Sequence, residues 1–201
     1  MKIYLVRHGQ TAWNVAGRWQ GTTDIPLDET GLAQAAKLAQ KMTQYKIEKI
    51  YSSPLVRAKV TAQAVADKFN LPITYERELE EIRLGPIEGL THAEIAENHA
   101  DMFKLWETTH DADIAGVESN NSLQKRAFDT FDAICEKEDT DILVVTHGAW
   151  INRLICKLLH IPLEHRMRWH TSNVGLSIVN CIKKDNVREY TVVTVNDESH
   201  L

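Results

Sequence analysis

The sequence predicts an α/β protein: a three-layer α/β/α sandwich with a mostly parallel central sheet and a helical excursion over one end of it. Three observations carry this. Two short, continuous apolar runs, Ile3-Tyr4-Leu5-Val6 and Ile142-Leu143-Val144-Val145, have the character of strands covered on both faces, not the alternation of a half-exposed sheet. Strand-like runs alternate with helical patterns of roughly 10 to 15 residues, which is how parallel sheets are written in sequence. Both apolar runs also end at a histidine followed by glycine, His8-Gly9 and His147-Gly148. Each histidine therefore leaves a strand at its C-terminal end, the edge where open parallel sheets bind ligands.

The remaining elements follow in chain order. Leu32, Ala35, Ala36, Leu38, Ala39 and Met42 recur at helical spacing after Thr30-Gly31, which reads as a helix start. Lys49-Ile50-Tyr51 is a short strand. Ser52-Ser53-Pro54 opens a second helix carrying Val56, Val60, Ala64, Val65 and Ala66. Residues from about 123 to 136 and from about 149 to 159 predict two further helices, and 176–182 and 190–195 two late strands. The stretch from Pro86 to Ser122, with His92, His99, Phe103, Trp106 and His110 among polar residues, has weak periodicity and reads as the helical excursion, a lid over the sheet. No repeat, linker or composition shift marks a boundary, so residues 1–201 are expected to form one domain.

A chain of 201 residues with 43% hydrophobic and 25% charged residues has globular composition and can bury a core without staples, which excludes disordered, collagenous and low-complexity classes. The net charge of −5 repels nucleic acid, and Lys183-Lys184 and Arg166-x-Arg168 are the nearest approach to a basic cluster. Cys135, Cys156 and Cys181 are widely spaced and odd in number, which reads as reduced core thiols in a cytoplasmic protein. No apolar run is long enough for a signal peptide or a membrane span, so no membrane partner is expected.

Arg7-His8-Gly9 is the sharpest local signal. A histidine at the end of a buried strand has a fixed orientation, the following glycine lets a ligand approach the backbone, and the flanking guanidinium offers planar paired donors that match a phosphate. Asn14, Arg18-Trp19-Gln20-Gly21 and Asp24-x-Pro26-Leu27 form a turn-rich stretch able to wrap over that strand end. Arg57 falls in the first turn of a helix that follows a short strand, and Glu80-Glu81, Gly85 and Glu88-Gly89 place acids on a glycine-closed loop.

Taken together, Arg7-His8-Gly9-x-Thr11-x-x-Asn14, Trp19-x-Gly21-x-x-Asp24-x-Pro26-Leu27, Ser52-x-x-x-x-Arg57-Ala58, Glu81-x-x-x-Gly85-x-x-Glu88-Gly89 and Thr146-His147-Gly148 resemble, in order and spacing, the histidine phosphatase superfamily, also called the phosphoglycerate mutase-like family. The resemblance runs from residue 3 to about residue 180. It implies a histidine acid phosphatase-type phosphoric monoester hydrolase that works without metal or other cofactor, through a covalent phosphohistidine. It further implies that His8 is the nucleophile and that Arg7, Arg57 and His147 form the phosphate pocket with Asn14 as an added donor. Gln20, Gly21 and Gly148 would line that pocket, and Glu81 would protonate the leaving oxygen and then activate water. Arg83 and Ile87 depart from the family's commoner residues, which bears on the shape of the substrate.

Elementary chemistry points the same way. A phosphate monoester dianion resists nucleophiles, so catalysis rests on positioning and charge stabilisation. Two arginines and a histidine neutralise such a dianion, and a neutral imidazole attacks at neutral pH. Glu81 is preferred over Glu80 as the acid because adjacent residues point in different directions and the spacing to Gly85 favours Glu81. Glu88 is expected to hold the loop together. His92 and His99, seven apart, lack a third ligand of matching spacing and are read as lid histidines, so no metal is expected.

The leading function is therefore a phosphomonoesterase for small phosphorylated metabolites. A cofactor-dependent phosphoglycerate mutase is the alternative, disfavoured because the family's mutases carry paired arginines between the acid and second histidine motifs, where residues 90–146 hold Arg126 alone. A non-catalytic phospholigand-binding module is the third reading, and retention of Arg7, His8, Arg57, Glu81 and His147 speaks against it. Substrate choice is expected to reside in the 86–122 excursion, and oligomeric state stays open.

Overall fold

Strands β1 (Lys2–Arg7), β2 (Lys49–Ser52), β3 (Ile73–Tyr75), β4 (Ile142–Thr146), β5 (Leu176–Lys184) and β6 (Val187–Asp197) form one six-stranded sheet in the order β3-β2-β4-β1-β5-β6. The structure is a computed structural model that describes residues 1–185 and 187–201. The pairs β1–β4, β2–β4 and β2–β3 are parallel, whereas β5 runs antiparallel to both β1 and β6. The helices are α1 (Ala12–Val15), α2 (Glu29–Met42), α3 (Val56–Phe69), α4 (His92–Asn98), α5 (Ala100–Thr108), α6 (Asn120–Lys137) and α7 (Gly148–Leu158).

The continuous apolar runs are explained by a core on each face of the sheet. Ile3, Leu5, Ile142 and Val144 pack with Leu123, Ala127 and Phe131 of α6 and Trp150, Ile151 and Leu154 of α7. Their neighbours Tyr4, Val6, Leu143 and Val145 point the other way, onto Leu38, Ala39 and Met42 of α2 and Ala58, Ala62 and Val65 of α3. The period-two alternation of a strand thus survives as a choice between two cores, and the expected three-layer α/β/α order results.

Several boundaries differ from expectation. Helix α2 starts at Glu29 and so takes in Thr30-Gly31 instead of following them, because the Asp28 carboxylate caps it by accepting from Gly31 N at 2.8 Å. Its buried face is Gly31, Ala35, Leu38, Ala39 and Met42, and Leu32 stands 51% exposed. Strand β3 and a 3₁₀ turn over Leu163–Arg168 were not anticipated. Strand β3 is only three residues long and exists through its pairing with β2, Ile50 opposite Ile73, so it has no pattern of its own. The two late strands are longer than predicted and form an antiparallel hairpin.

The 86–122 excursion packs into the core as well as covering it. Ile95, Phe103 and Trp106 are buried against the α6–α7 face with the partly buried Trp19 packed on them, and the Trp106 indole donates to Glu118 O at 2.9 Å. Ile87 is also a core residue, 1% exposed.

Candidate active site

Strands β1 and β4 are adjacent and in register, Arg7 opposite Thr146, so the residues that follow them, His8 and His147, emerge side by side. His8 N donates to Thr146 O at 3.0 Å, fixing the two exits together. The imidazole centroids lie 5.2 Å apart with planes inclined by 58°.

His8 is 3% exposed, and its Nδ1 lies 2.7 Å from Gly9 O. A carbonyl only accepts, so Nδ1 carries the proton and Nε2 keeps its lone pair. Burial and then the charges of Arg7 and Arg57 hold His8 well below the ordinary histidine value, so the ring is neutral. Gly9 does something other than expected. A Cβ there would sit 2.6 Å from Gly31 O, so the missing side chain makes room for the first turn of α2 and not for a ligand.

His147 is fully buried as the N-cap residue of α7. Its Nε2 pairs with Ser53 Oγ at 2.8 Å, and its Nδ1 has no protein partner. Burial, Arg57, His8 and Arg7 together push its pKa well down.

A cleft of about 370 Å³ opens over these strand ends, lined by Arg7, His8, Asn14, Gln20, Gly21, Arg57, Glu81 and Gly148 among others. Of the predicted site residues only His147 lies behind that surface, enclosed next to His8. Arg7 Nη1 donates to Thr171 O at 2.6 Å, leaving Nε unpartnered. Arg57, fully buried on the first turn of α3, sends Nη1 to Thr23 O at 2.8 Å and Nη2 to Gly21 O at 2.7 Å. Its Nε is likewise unpartnered. Burial works against both guanidinium charges, and Glu81 offsets this in part.

Gly21 adopts φ +51°, and a Cβ there would lie 2.1 Å from Glu88 Oε1, so the loop that carries the Arg57 acceptors requires glycine. Glu88 holds that loop. Its carboxylate accepts from Thr22 N and Thr23 N, each at 3.0 Å, and from Leu84 N at 3.0 Å. Burial alone would raise its pKa, but the bonds from Thr23, Leu84 and Thr22 outweigh it and hold the group below the usual carboxylate range.

Of the adjacent acids, Glu81 lines the cleft, while Glu80 faces outward 4.0 Å from Arg77. The Glu81 carboxylate accepts from Ala149 N at 3.0 Å and Trp150 N at 3.2 Å, in the first turn of α7, and from Ile82 N at 3.0 Å. Its strand-side anchor is Arg126, which donates to the carbonyls of Glu78, Glu80 and Glu81 and pairs with Glu118 at 2.9 Å. Arg126 is therefore spent on the backbone below Glu81.

Asn14 Oδ1 accepts from Thr11 N at 3.1 Å and from Asn173 Nδ2 at 3.2 Å, which leaves its amide NH₂ for a ligand. Sequence reasoning read Ser53 only as part of a helix start and did not find Thr171 or Asn173; the three orient His147, Arg7 and Asn14 respectively. It also passed over Arg153, Met167 and Trp169, which line the cleft. The excursion, expected to set specificity, contributes Trp106 alone to the described lining, and neither Arg83 nor Ile87 reaches it. His92 packs edge-on to Phe103 at 5.5 Å, and His99 sits at the α4–α5 junction. Among the described residues there is no group of three or more His, Cys, Asp or Glu side chains placed to hold a metal, and no helix is long and apolar enough to cross a membrane.

Known proteins match this arrangement over the whole chain. Phosphoserine phosphatase 1 of Hydrogenobacter thermophilus is 30% identical over 203 residues, covering 100% of this chain and 94% of its own. A probable phosphoglycerate mutase GpmB of Yersinia pestis is 32% identical, with 100% and 95% covered. A phosphoserine phosphatase mutant from Entamoeba histolytica, solved in complex with phosphoserine, superposes with a TM-score of 0.87 at 31% identity, covering 100% of this chain and 98% of that one. The model of the histidine phosphatase superfamily, branch 1, matches residues 3–197, and with both histidines standing together at the ends of β1 and β4, the chain belongs to that family.

Proposed function

We propose that the protein is a phosphatase of small phosphorylated metabolites that hydrolyses phosphate monoesters through a covalent phosphohistidine. The observation that carries this is the state of His8: a neutral ring, its proton fixed on Nδ1 by Gly9 O, with Nε2 free at the floor of a cleft where Arg7 and Arg57 have no carboxylate at salt-bridge distance among the described residues.

In this reading Arg7, Arg57 and Asn14 bind the phosphoryl oxygens, and the unpartnered Nδ1 of His147 is the further donor, with Ser53 Oγ–H donating to its Nε2. His8 Nε2 attacks phosphorus as the ester P–O bond breaks, and the departing oxygen takes its proton from Glu81. Water then attacks phosphorus as the P–N bond breaks and its electron pair returns to His8 Nε2, Glu81 receives the water's proton, and inorganic phosphate leaves. The arginine charges stabilise both transition states, and Gln20, Gly21 and Gly148 shape the pocket around them. Because burial, Arg7 and Arg57 keep His8 unprotonated below the ordinary histidine range, the acid phosphatase subtype fits. The family's mutase activity is less well supported, since the one arginine between residues 90 and 146 is Arg126, which is engaged with Glu118 and backbone carbonyls.

Acid-quenching during turnover tests this reading. The unsubstituted protein should retain phosphate in an acid-labile nitrogen linkage, and His8→Ala should lose both the label and activity by ~10⁴–10⁶-fold. Substantial turnover by His8→Ala would refute it.

A further inference from the structure

Four arginines line the cleft. Arg18 pairs with Glu94 at 2.9 Å, and Arg7 and Arg57 belong to the phosphate pocket. Arg153, on α7 beyond the end of β4, has no assigned role. It is 5% exposed, and no carboxylate lies at salt-bridge distance among the described residues. Its partners are neutral: Nε and Nη2 donate to Asn120 Oδ1 at 3.2 and 2.8 Å, and Nη1 to Asn152 Oδ1 at 3.0 Å. A guanidinium has five N–H bonds. Three are thus used, and one on Nη1 and one on Nη2 remain.

Such a site is costly to maintain. A buried cation without a counter-charge loses hydration it does not recover, and Arg166, also buried and without an acid at salt-bridge distance, adds repulsion. Burial first and then Arg166 bring Arg153 down to about 10, and the more distant Glu81 carboxylate offsets this only in part. The two asparagine oxygens need donors but not a positive charge, so a purely structural link leaves the charge of Arg153 without a use. Asn120 and Asn152 instead hold the guanidinium plane fixed at the cleft wall while offering no charge of their own. An anion arriving in the cleft supplies what is missing.

We propose that Arg153 forms a second anion subsite that binds a carboxylate carried by the substrate, so that the preferred substrates are small phosphate monoesters of carboxylic acids. Two free N–H groups on neighbouring nitrogens match the two oxygens of one carboxylate, and a cleft of about 370 Å³ lies at the small end of ligand pockets. The assignment rests on the phosphatase reading for the role of the first anion subsite, but its test needs no turnover.

Calorimetric binding to the His8→Ala variant, which holds ligand without consuming it, compares O-phospho-L-serine with O-phospho-L-serinamide and O-phosphoethanolamine. The carboxylate should strengthen binding about 10–100-fold over either of the others, the usual worth of a buried charge-assisted pair. Adding Arg153→Met should collapse that ratio to within about threefold. Equal affinities in the presence of Arg153, or a ratio that survives its removal, overturns the proposal. Should Arg153→Met fail to fold, Arg153→Lys carries the test: a point charge lacks the paired donors, so the ratio should fall about tenfold, and an unchanged ratio is again fatal. Phosphate release from p-nitrophenyl phosphate by the unsubstituted protein reports on the phosphatase reading separately, so the two failures are distinguishable.

Discussion

One part of the cleft wall is made where two neighbouring parallel strands end; a second is gathered from Trp106, Arg153, Met167 and Trp169, which come from α5, α7 and the stretch after it. On the first wall, Arg7, His8 and Gly148 occupy positions fixed by the backbone register of β1 and β4, and Arg57 is locked to the carbonyls of Gly21 and Thr23. On the second, Arg153 is oriented by two asparagine side chains, and Met167 stands 71% exposed. In the proposed reading, the rigid strand ends serve the phosphoryl group common to all substrates, and the second wall, assembled from side chains on elements able to vary independently, is where substrates would be told apart.

The largest effect that bears on this comparison is expected at Glu81, whose carboxylate lines the cleft against the first turn of α7. Glu81→Gln should lower the phosphorylation rate by ~10²–10⁴-fold for alkyl phosphates and far less for an aryl ester whose leaving group needs no proton. A burst of nitrophenol followed by slow turnover should accompany it, because dephosphorylation still needs a base. Equal losses for both leaving groups would remove Glu81 from the acid role.

Arg57→Lys probes the strand-end wall alone. Lysine cannot hold Gly21 O and Thr23 O with one planar group, so kcat/KM should fall ~10²–10³-fold. The loss should be the same factor for O-phospho-L-serine and O-phosphoethanolamine. A change in their ratio would mean that the two walls are not independent.

The smallest effect is in pH. His8 and His147 are both held below the ordinary histidine value, by burial first and then by neighbouring positive charge. The unfolded chain therefore binds more protons than the folded one between the depressed values and about 6.5. The stability contributed by the neutral rings is fully present above 6.5 and is lost as pH falls through that window, so the thermal midpoint should decline there. The acid limb of kcat/KM should lie below 6.5, and Arg57→Met, which removes one cause of the depression, should shift it upward. An acid limb at or above 6.5 in the unsubstituted protein would contradict a neutral, buried nucleophile.

What the sequence determined by itself is whatever a short, local stretch of chain dictates. The apolar runs of β1 and β4 required burial on both faces, their breaks placed His8 and His147 at strand ends, and the spacing from Ser52 put Arg57 on a first helical turn. These are near-neighbour rules, and the residue order states them completely. The tertiary structure decided what depends on contacts between distant residues. Strand β3 formed because β2 offered it an edge, Gly9 proved to accommodate α2, and Arg126 proved to be an anchor for the backbone under Glu81. Ser53, Thr171 and Asn173 gained their roles by lying beside His147, Arg7 and Asn14 in space. Arg153 became a candidate anion site only when packing removed it from water and left no acid beside it, since burial and the absence of a partner are properties of the folded molecule and not of the residue's place in the chain.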